Sequence, residues 1–232
     1  RETCKVWQEK FLFLVFAMFA GVMALLAQYT AGAYRPLEQH DITSRFSQAL
    51  YAWTFYLWKT VLPFDLSPLY EMPRNPEFWH WSFFLSGFIV IAITVVLFMK
   101  RYRWPAVLAS WIVYGVLLAP ISGIAQSGPQ LVGDRYSYLS CMSWALLAGG
   151  GLVHLWQLSL SGSFASRIAI PVTGFAALML VGLGALTWRQ AQIWKDSERL
   201  WRHALSIQRD SVYAHNNLGM ALAEQNRLDE AI

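Results

Sequence analysis

The sequence predicts an all-α membrane protein, a polytopic helix bundle with about five spans followed by a short amphipathic helical segment. Of its 232 residues, 56% are hydrophobic and only 14% are charged, whereas typical soluble domains carry roughly 25% charged residues. Uncharged apolar runs recur along the chain at close to the ~20 residues that cross a bilayer. Twelve Trp, ten Tyr and fourteen Phe are many for this length, and aromatic rings gather at membrane interfaces.

Five apolar runs are predicted to span the membrane, namely residues 11–27, 79–99, 104–125, 138–160 and 168–188. The clearest orientation signal is the short basic loop 100–103, because cytosolic loops carry an excess of Lys and Arg. With five spans, Lys5, Lys10 and Arg167 also fall on the cytosolic side. The opposite face, periplasmic in a bacterial inner membrane or lumenal in the endoplasmic reticulum, then carries the external loop 29–80, the turn 128–139 and the segment 189–232.

One helix inside the external loop allows two interpretations. Residues 44–62 have helical periodicity, with Ser44 as the expected N-cap. Their apolar stripe consists of Phe46, Leu50, Trp53, Leu57 and Val61. The helix either spans the membrane or lies in the interface plane with its aromatic face towards the lipid. The distribution of basic residues favours the interfacial helix, because a sixth span would move Lys5 and Lys10 to the outer face.

Several function classes are disfavoured by composition. The net charge of +4 is accounted for by cytosolic Lys and Arg, so no nucleic-acid partner is expected. Cys4 and Cys141 are the two cysteines, and they form neither a disulfide framework nor a metal-ligand spacing. The chain begins with Arg and ends within a helical pattern, so we expect a fragment of a longer protein. No metal and no resident cofactor are evident.

The turn 128–139 carries two charges at a predicted membrane edge. Asp134 and Arg135 are costly there unless they pair, face water or take part in chemistry. They form either an ion pair that caps a helix, or a site in which Arg135 binds a lipid phosphate and Asp134 orients it. An Arg guanidinium suits phosphate because its planar fork binds two oxygens. Tyr136 and Tyr138 are either interface anchors or substrate contacts.

Two cations of the external loop are further candidates for phosphate binding. Lys59 and Arg45 flank the helical run 44–62. Their simplest interpretation is a solvated helix edge, and the alternative is a contact with a lipid phosphate.

The C-terminal segment 189–232 is charged and amphipathic. Residues 214–219 (AHNNLG), Ala221 and residues 226–232 (NRLDEAI) resemble a tetratricopeptide repeat, with small residues where two helices cross closely. Such repeats stabilise one another by stacking, and this segment is incomplete at its C-terminal end. The resemblance implies a surface for a protein partner, for which Asn217, Leu218 and Gly219 are the expected residues.

The order of membrane spans followed by external tetratricopeptide repeats resembles that of the transmembrane-and-TPR O-mannosyltransferase-like proteins. These proteins are polytopic glycosyltransferases of the GT-C class. The resemblance is carried by residues 56–59 (YLWK), by Pro63, Leu66, Ser67 and Tyr70, and by Gln126, Gln130 and residues 134–139 (DRYSYL). Ser140 stands where the family often has Pro. The resemblance implies a polyprenyl-phosphate sugar donor and transfer of the sugar to a protein acceptor.

The same resemblance implies that a part of the active site lies outside this chain. The catalytic acid of GT-C enzymes usually lies in the first external loop, and this chain resembles only the last spans. We therefore expect the chain to be the C-terminal part of such an enzyme and to be inactive alone, with catalytic residues unknown. The alternative is a non-catalytic membrane scaffold or accessory subunit whose repeats dock a partner protein.

Overall fold

The computed structural model describes residues 2–30, 41–72, 80–124, 130–160 and 165–231, and this part of the chain is almost entirely helical. Its helices are α1 (Glu2–Thr30), α2 (Ile42–Val61), α3 (Trp81–Met99), α4 (Pro105–Leu118), α5 (Ser137–Leu160), α6 (Ala165–Ile193), α7 (Ser197–Ile207), α8 (Val212–Glu224) and α9 (Leu228–Ala231). Two 3-10 turns cover Ala119–Ile121 and Asp134–Tyr136. The short strands β1 (Tyr70–Glu71) and β2 (Gln130–Val132) pair antiparallel.

Three helical stretches of the described residues are long and apolar enough to cross a membrane. They are Trp81–Met99, Asp134–Gln157 and Ala169–Ile193, and they overlap three of the five predicted spans. The other two predicted spans fall on α1 and on the shorter apolar stretch Pro105–Ile121. Neither is among those three, so a fivefold crossing stays a prediction.

The predicted span 104–125 is shorter as an α-helix than expected. Pro105 stands in the first turn of α4, where its missing N–H costs nothing. The helix ends at Leu118 and passes into the 3-10 turn Ala119–Ile121. Pro120 accounts for this end, because it cannot donate the next hydrogen bond of the α-helical ladder.

The expected N-cap of α2 was wrong. The cap is Asp41, whose side chain accepts a hydrogen bond from the backbone N–H of Ser44 at 3.2 Å. Ser44 lies inside the first turn and is buried. Because the Asp41 carboxylate already satisfies a free N–H of the first turn, the cap lies three residues before Ser44 and the helix begins at Ile42.

The apolar stripe of α2 packs against the core only in its middle. Leu50, Trp53 and Leu57 are partly buried there, whereas Phe46 and Val61 are 61% and 62% exposed. The most buried positions of α2 are Ser44, Arg45, Gln48, Ala49, Ala52 and Tyr56. Polar side chains among them are satisfied by hydrogen bonds within the protein. The position of α2 relative to the membrane stays a prediction.

Aromatic packing holds α2 against α3 and α4. The core contains Ala52, Tyr56, Val90, Leu97, Trp111, Tyr114, Leu118 and Val132. Trp53 of α2 meets Trp111 of α4 edge to face, with ring centroids 5.4 Å apart. A Cβ on Gly115 would lie 2.5 Å from the Trp53 ring, so glycine makes this approach possible. This packing fixes the direction in which the last turn of α2 points.

The C-terminal helices α7 and α8 pack on each other through small residues. Ala204, Ala214 and Ala221 are buried, and a Cβ on Gly219 would lie 3.1 Å from the carbonyl oxygen of Ala231. Their assignment as a tetratricopeptide repeat stays a prediction. Helix α6 runs without a break past the predicted domain boundary after residue 188 and ends at Ile193.

Candidate functional site

A cavity of about 820 Å³ lies where the ends of several elements meet. The end of α2 and the segment after it form one wall, and the turn before α5 forms another. The last turns of α6 and His203 of α7 complete it. Because α5 begins here and α6 ends here, the cavity lies at one end of two membrane-capable helices.

Lys59 places a positive charge on the α2 side of the cavity. Its Nζ donates to the carbonyl oxygens of Phe64 and of Asp65, the latter at 3.2 Å. It also lies 5.6 Å from the centroid of the Phe55 ring and 5.7 Å from that of Tyr70. These partners are neutral groups that hold the ammonium in place, and its charge also interacts with that of Asp134 across the cavity.

Arg135 and Arg189 bring two more cations to the same cavity. The Arg135 guanidinium donates to Gln130 Oε1 at 3.2 Å and to the Tyr136 hydroxyl at 3.0 Å. Gln130 Nε2 in turn donates to that hydroxyl at 2.6 Å. Among the described residues, every ion pair within 4.0 Å lies in the stretch from Asp196 to Glu230. The cavity cations therefore form no ion pair within that distance, although Asp65 and Asp134 line the same cavity.

Asp134 and Arg135 do not form the ion pair that was considered, and Asp134 does not orient Arg135. Asp134 Oδ2 accepts hydrogen bonds from the backbone N–H of Ser67 at 2.7 Å and from the Tyr70 hydroxyl at 3.0 Å. The two residues are consecutive in a 3-10 turn, whose three residues per turn point neighbouring side chains about 120° apart. Asp134 thus joins the turn to the segment after α2, while Arg135 faces Gln130.

The Tyr70 hydroxyl, which contacts Asp134, stays protonated. Burial raises the pKa of Tyr70, and the nearby Asp134 charge raises it further. Tyr70 therefore stays a neutral hydroxyl at physiological pH, and its single proton is shared between the Asp65 carbonyl oxygen at 2.6 Å and Asp134 Oδ2 at 3.0 Å. One atom of this cluster is left over, because Asp134 Oδ1 is buried without a hydrogen-bond partner.

The remaining walls of the cavity are mainly apolar. Leu183, Leu186 and Ile193 line it from one face of α6, together with Trp194, which follows the helix. Tyr138 lies at its edge and is 79% exposed. A cavity with a cationic rim and an apolar wall suits an amphiphile that carries a phosphate. Among the described residues, no three His, Cys, Asp or Glu side chains are grouped as metal ligands.

The structure brings some of the predicted site residues together and separates others. Lys59, Asp134, Arg135 and Tyr138 line the cavity, with Gln130 and Tyr136 behind Arg135. Arg45 does not line it. Arg45 is 7% exposed, and its Nη1 donates to the carbonyl oxygen of Ile124 at 3.0 Å, so it ties α2 to the segment that follows α4 and its 3-10 turn.

The predicted partner-binding residues lie on α8 and contact their own segment. Asn217 Nδ2 donates to the carbonyl oxygen of Tyr213 at 2.7 Å, one turn earlier. Gly219 faces the carbonyl oxygen of Ala231 in α9, and Leu218 is half-buried. Their role towards a partner stays a prediction.

Sequence reasoning missed several residues of the cavity, among them Thr60, Cys141, Arg189, Trp194 and His203. Cys141 Sγ and Thr60 Oγ1 are 2.9 Å apart, which joins α5 to α2. Arg189 follows the aromatic Trp188 at the end of an apolar run, and this interfacial position was the available signal. The positions of Arg189 and Lys59 in the sequence do not indicate that the two residues line the same cavity.

No protein-family model matches the chain, and no solved structure matches it. The chain is similar to Protein O-mannosyl-transferase Tmtc1 of Drosophila melanogaster, with 38% identity over 101 residues. The matched part covers 44% of this chain and 11% of that protein, so the chain corresponds to a small part of its relative's length. The similarity and the three apolar helices together indicate a membrane protein.

Proposed function

We propose that this chain is part of a membrane glycosyltransferase of the protein O-mannosyltransferase type. Its cavity would hold the phosphate and the first part of the lipid of a polyprenyl-phosphate sugar donor. The observation that carries the proposal is the cavity itself, in which three cations that form no ion pair within 4.0 Å stand beside the apolar face of α6. The similarity to the fly O-mannosyl-transferase supports the choice of reaction.

The three cations contribute to phosphate binding in different ways. Arg135 is already oriented by Gln130 and Tyr136, and its fork can present two N–H groups to two phosphate oxygens. Lys59 and Arg189 add positive charge from α2 and α6. The apolar side chains of α6 then accept the first isoprene units. The catalytic acid, the remaining spans and the rest of the repeats would belong to the longer protein.

The proposal includes an arrangement in the membrane. The bundle crosses it five times, and the cavity and helices α7 to α9 lie on the periplasmic or lumenal side. Helices α7 to α9 begin an array of tetratricopeptide repeats that holds the protein acceptor near the cavity. The surface around Asn217, Leu218 and Gly219 belongs to that array.

A binding experiment on the full-length protein in lipid nanodiscs tests the donor site. The variants are Lys59→Gln and Arg189→Gln, and Lys195→Gln is the matched control, because Lys195 follows α6 but does not line the cavity. The probe is a polyprenyl monophosphate. Each cavity variant should weaken binding by roughly ten- to a hundredfold, since a lost charge-assisted hydrogen bond is worth about 1.5–3 kcal/mol. The control should stay within about twofold, as expected for an exposed cation outside the site.

Glycosyl transfer to a protein acceptor is measured on the same samples. If both cavity variants bind the lipid and transfer sugar like the unmodified protein, the cavity is not the donor site. If the full-length protein transfers no sugar but retains a partner protein through α7 to α9, the scaffold function is correct instead.

A further inference from the structure

Glu71 connects the C-terminal helices to the segment that forms one wall of the cavity. Its Oε2 accepts a hydrogen bond from the Ser211 hydroxyl at 2.8 Å and faces the backbone N–H of Tyr213 at 3.4 Å. Ser211 is also the N-cap of α8, because its Oγ accepts from the N–H of Ala214 at 3.1 Å. A carboxylate at a helix N-terminus is stabilised by the free N–H groups and by the helix dipole.

A second side chain of the C-terminal helices holds the backbone of the same residue. Gln208 Oε1 accepts from the N–H of Glu71 at 2.9 Å, and Gln208 Nε2 donates to its carbonyl oxygen at 3.3 Å. Strand β1 is therefore bonded to Gln208 as well as paired with β2, in which Gln130 is the register partner of Glu71. A two-residue strand has little stability of its own, so these side-chain contacts help to fix its position.

Strand β1 leads directly to both charged residues of the turn. Tyr70 precedes Glu71 and donates to Asp134 Oδ2 at 3.0 Å. Gln130 lies opposite Glu71 and accepts from Arg135 at 3.2 Å. The same short strand thus determines where the Asp134 carboxyl and the Arg135 guanidinium stand in the cavity wall.

A third attachment holds the beginning of this segment. The carbonyl oxygen of Leu66 accepts from Gln190 Nε2 at 3.2 Å and lies 3.0 Å from His203 Nε2. Because a carbonyl only accepts, His203 donates from Nε2. The neighbouring Ser67 N–H is the one that binds Asp134. Residues 66–71 are therefore held at both ends by groups from α6 to α8.

We propose that Glu71 is a positioning residue, which couples the docked C-terminal helices to the placement of Asp134 and Arg135 in the cavity. Loss of the Glu71 carboxylate removes the bonds between β1 and α8 and leaves β1 attached through Gln208 and β2, so both charged side chains of the turn become less firmly placed. The inference rests on the proposed function for its consequence in donor binding. The coupling itself concerns protein contacts alone, so it is tested without a ligand.

Amide hydrogen exchange of the full-length protein in nanodiscs tests the coupling through peptides that cover residues 64–72 and 130–136. Glu71→Ala should raise exchange in both peptides roughly tenfold, the factor expected from one lost hydrogen bond to a charged group. Glu71→Gln keeps an oxygen that accepts from Ser211 but loses the charge. It should raise exchange only about threefold, because a neutral hydrogen bond is about half as strong. Exchange across α3 should stay unchanged, which shows that the bundle remains folded.

The matched control is Glu230→Ala, which also removes a carboxylate from the C-terminal helices. Glu230 accepts hydrogen bonds from Arg227 at 2.9 and 2.6 Å, so this variant leaves Glu71, Gln208 and His203 in place. It should leave the peptides 64–72 and 130–136 unchanged. The proposal is overturned if Glu71→Ala raises exchange in α8 alone, or if Glu230→Ala has the same effect as Glu71→Ala.

Lipid binding by the same variants separates this inference from the proposed function. If hydrogen exchange shows the coupling and the Kd for polyprenyl monophosphate rises several-fold in Glu71→Ala, the results support both the positioning role of Glu71 and the donor site. If hydrogen exchange shows the coupling but the protein does not bind the lipid at all, the results support the positioning role of Glu71 and refute the donor site.

Discussion

Removal of one hydroxyl in the core should loosen the turn that carries Asp134 and Arg135. Tyr56 is fully buried in α2, and its hydroxyl both donates to the carbonyl oxygen of Gly133 and accepts from its N–H, each at 3.1 Å. Tyr56→Phe removes the acceptor of a buried N–H. The Gly133 carbonyl still accepts from the N–H of Tyr136 at 3.0 Å, so the loss falls mainly on the Gly133 N–H.

The expected cost is about 2 kcal/mol of unfolding free energy, since leaving a buried donor without a partner costs roughly 1–3 kcal/mol. Equilibrium denaturation of the full-length protein in mixed micelles measures it. Tyr102→Phe is the matched control, because Tyr102 is 86% exposed and exposed substitutions stay within about 0.5 kcal/mol. If Tyr56→Phe also stays within that range, the Tyr56 hydroxyl does not hold the turn.

Two further predictions concern packing and pH. Gly115→Ala places a methyl group 2.5 Å from the Trp53 ring and should lower the unfolding free energy by about 1–3 kcal/mol. Gly149→Ala, which meets nothing within 4 Å, should show no such loss in the same denaturation experiment. Hydrogen bonds from Arg202 and then Arg227 hold the pKa of Glu198 below its usual value of 4.5. Its stabilisation of α7 to α9 is therefore complete above that value and is lost as the pH falls below it. Melting curves recorded at falling pH should show this loss, and Glu198→Gln should reduce the pH dependence; an unchanged dependence would contradict it.

The apolar runs allowed the sequence to predict the long helices with useful accuracy. The predicted span 79–99 corresponds to α3, Trp81–Met99, because a long uncharged run has few alternatives to a helix in a membrane. The end of α4 depended on Pro120, a local rule that was available from the sequence. Where a single residue decides the backbone, as here, sequence reasoning has the necessary information.

The orientation of α2 could not be obtained in the same way. The middle of the predicted stripe, Leu50, Trp53 and Leu57, packs against the core, but its ends Phe46 and Val61 are exposed. Periodicity divides a helix into faces, and only the surroundings decide how much of each face is inside. Gln48 is only 1% exposed, and its Nε2 donates to the carbonyl oxygen of Leu131 at 3.0 Å. This contact joins distant parts of the chain, so the sequence around Gln48 could not predict it.

The candidate site was predictable only in part for a related reason. Lys59, Asp134 and Arg135 attracted attention because charges beside apolar runs are costly. Arg189 and His203 are ordinary residues of an amphipathic segment until the fold brings them to the cavity. The function of Glu71 depends on Ser211 and on Gln208, and no spacing in the sequence relates these residues.

The unbroken course of α6 has a mechanical consequence. The helix has 29 residues, or about 43 Å at 1.5 Å per residue, and its proline, Pro171, lies near its beginning. The residues from Pro171 to Ile193 form one continuous helix, which carries Arg189 of the cavity wall near its end. Because α7 begins at Ser197, shortly after α6 ends, the placement of Arg189 and that of α7 depend on the same rigid element.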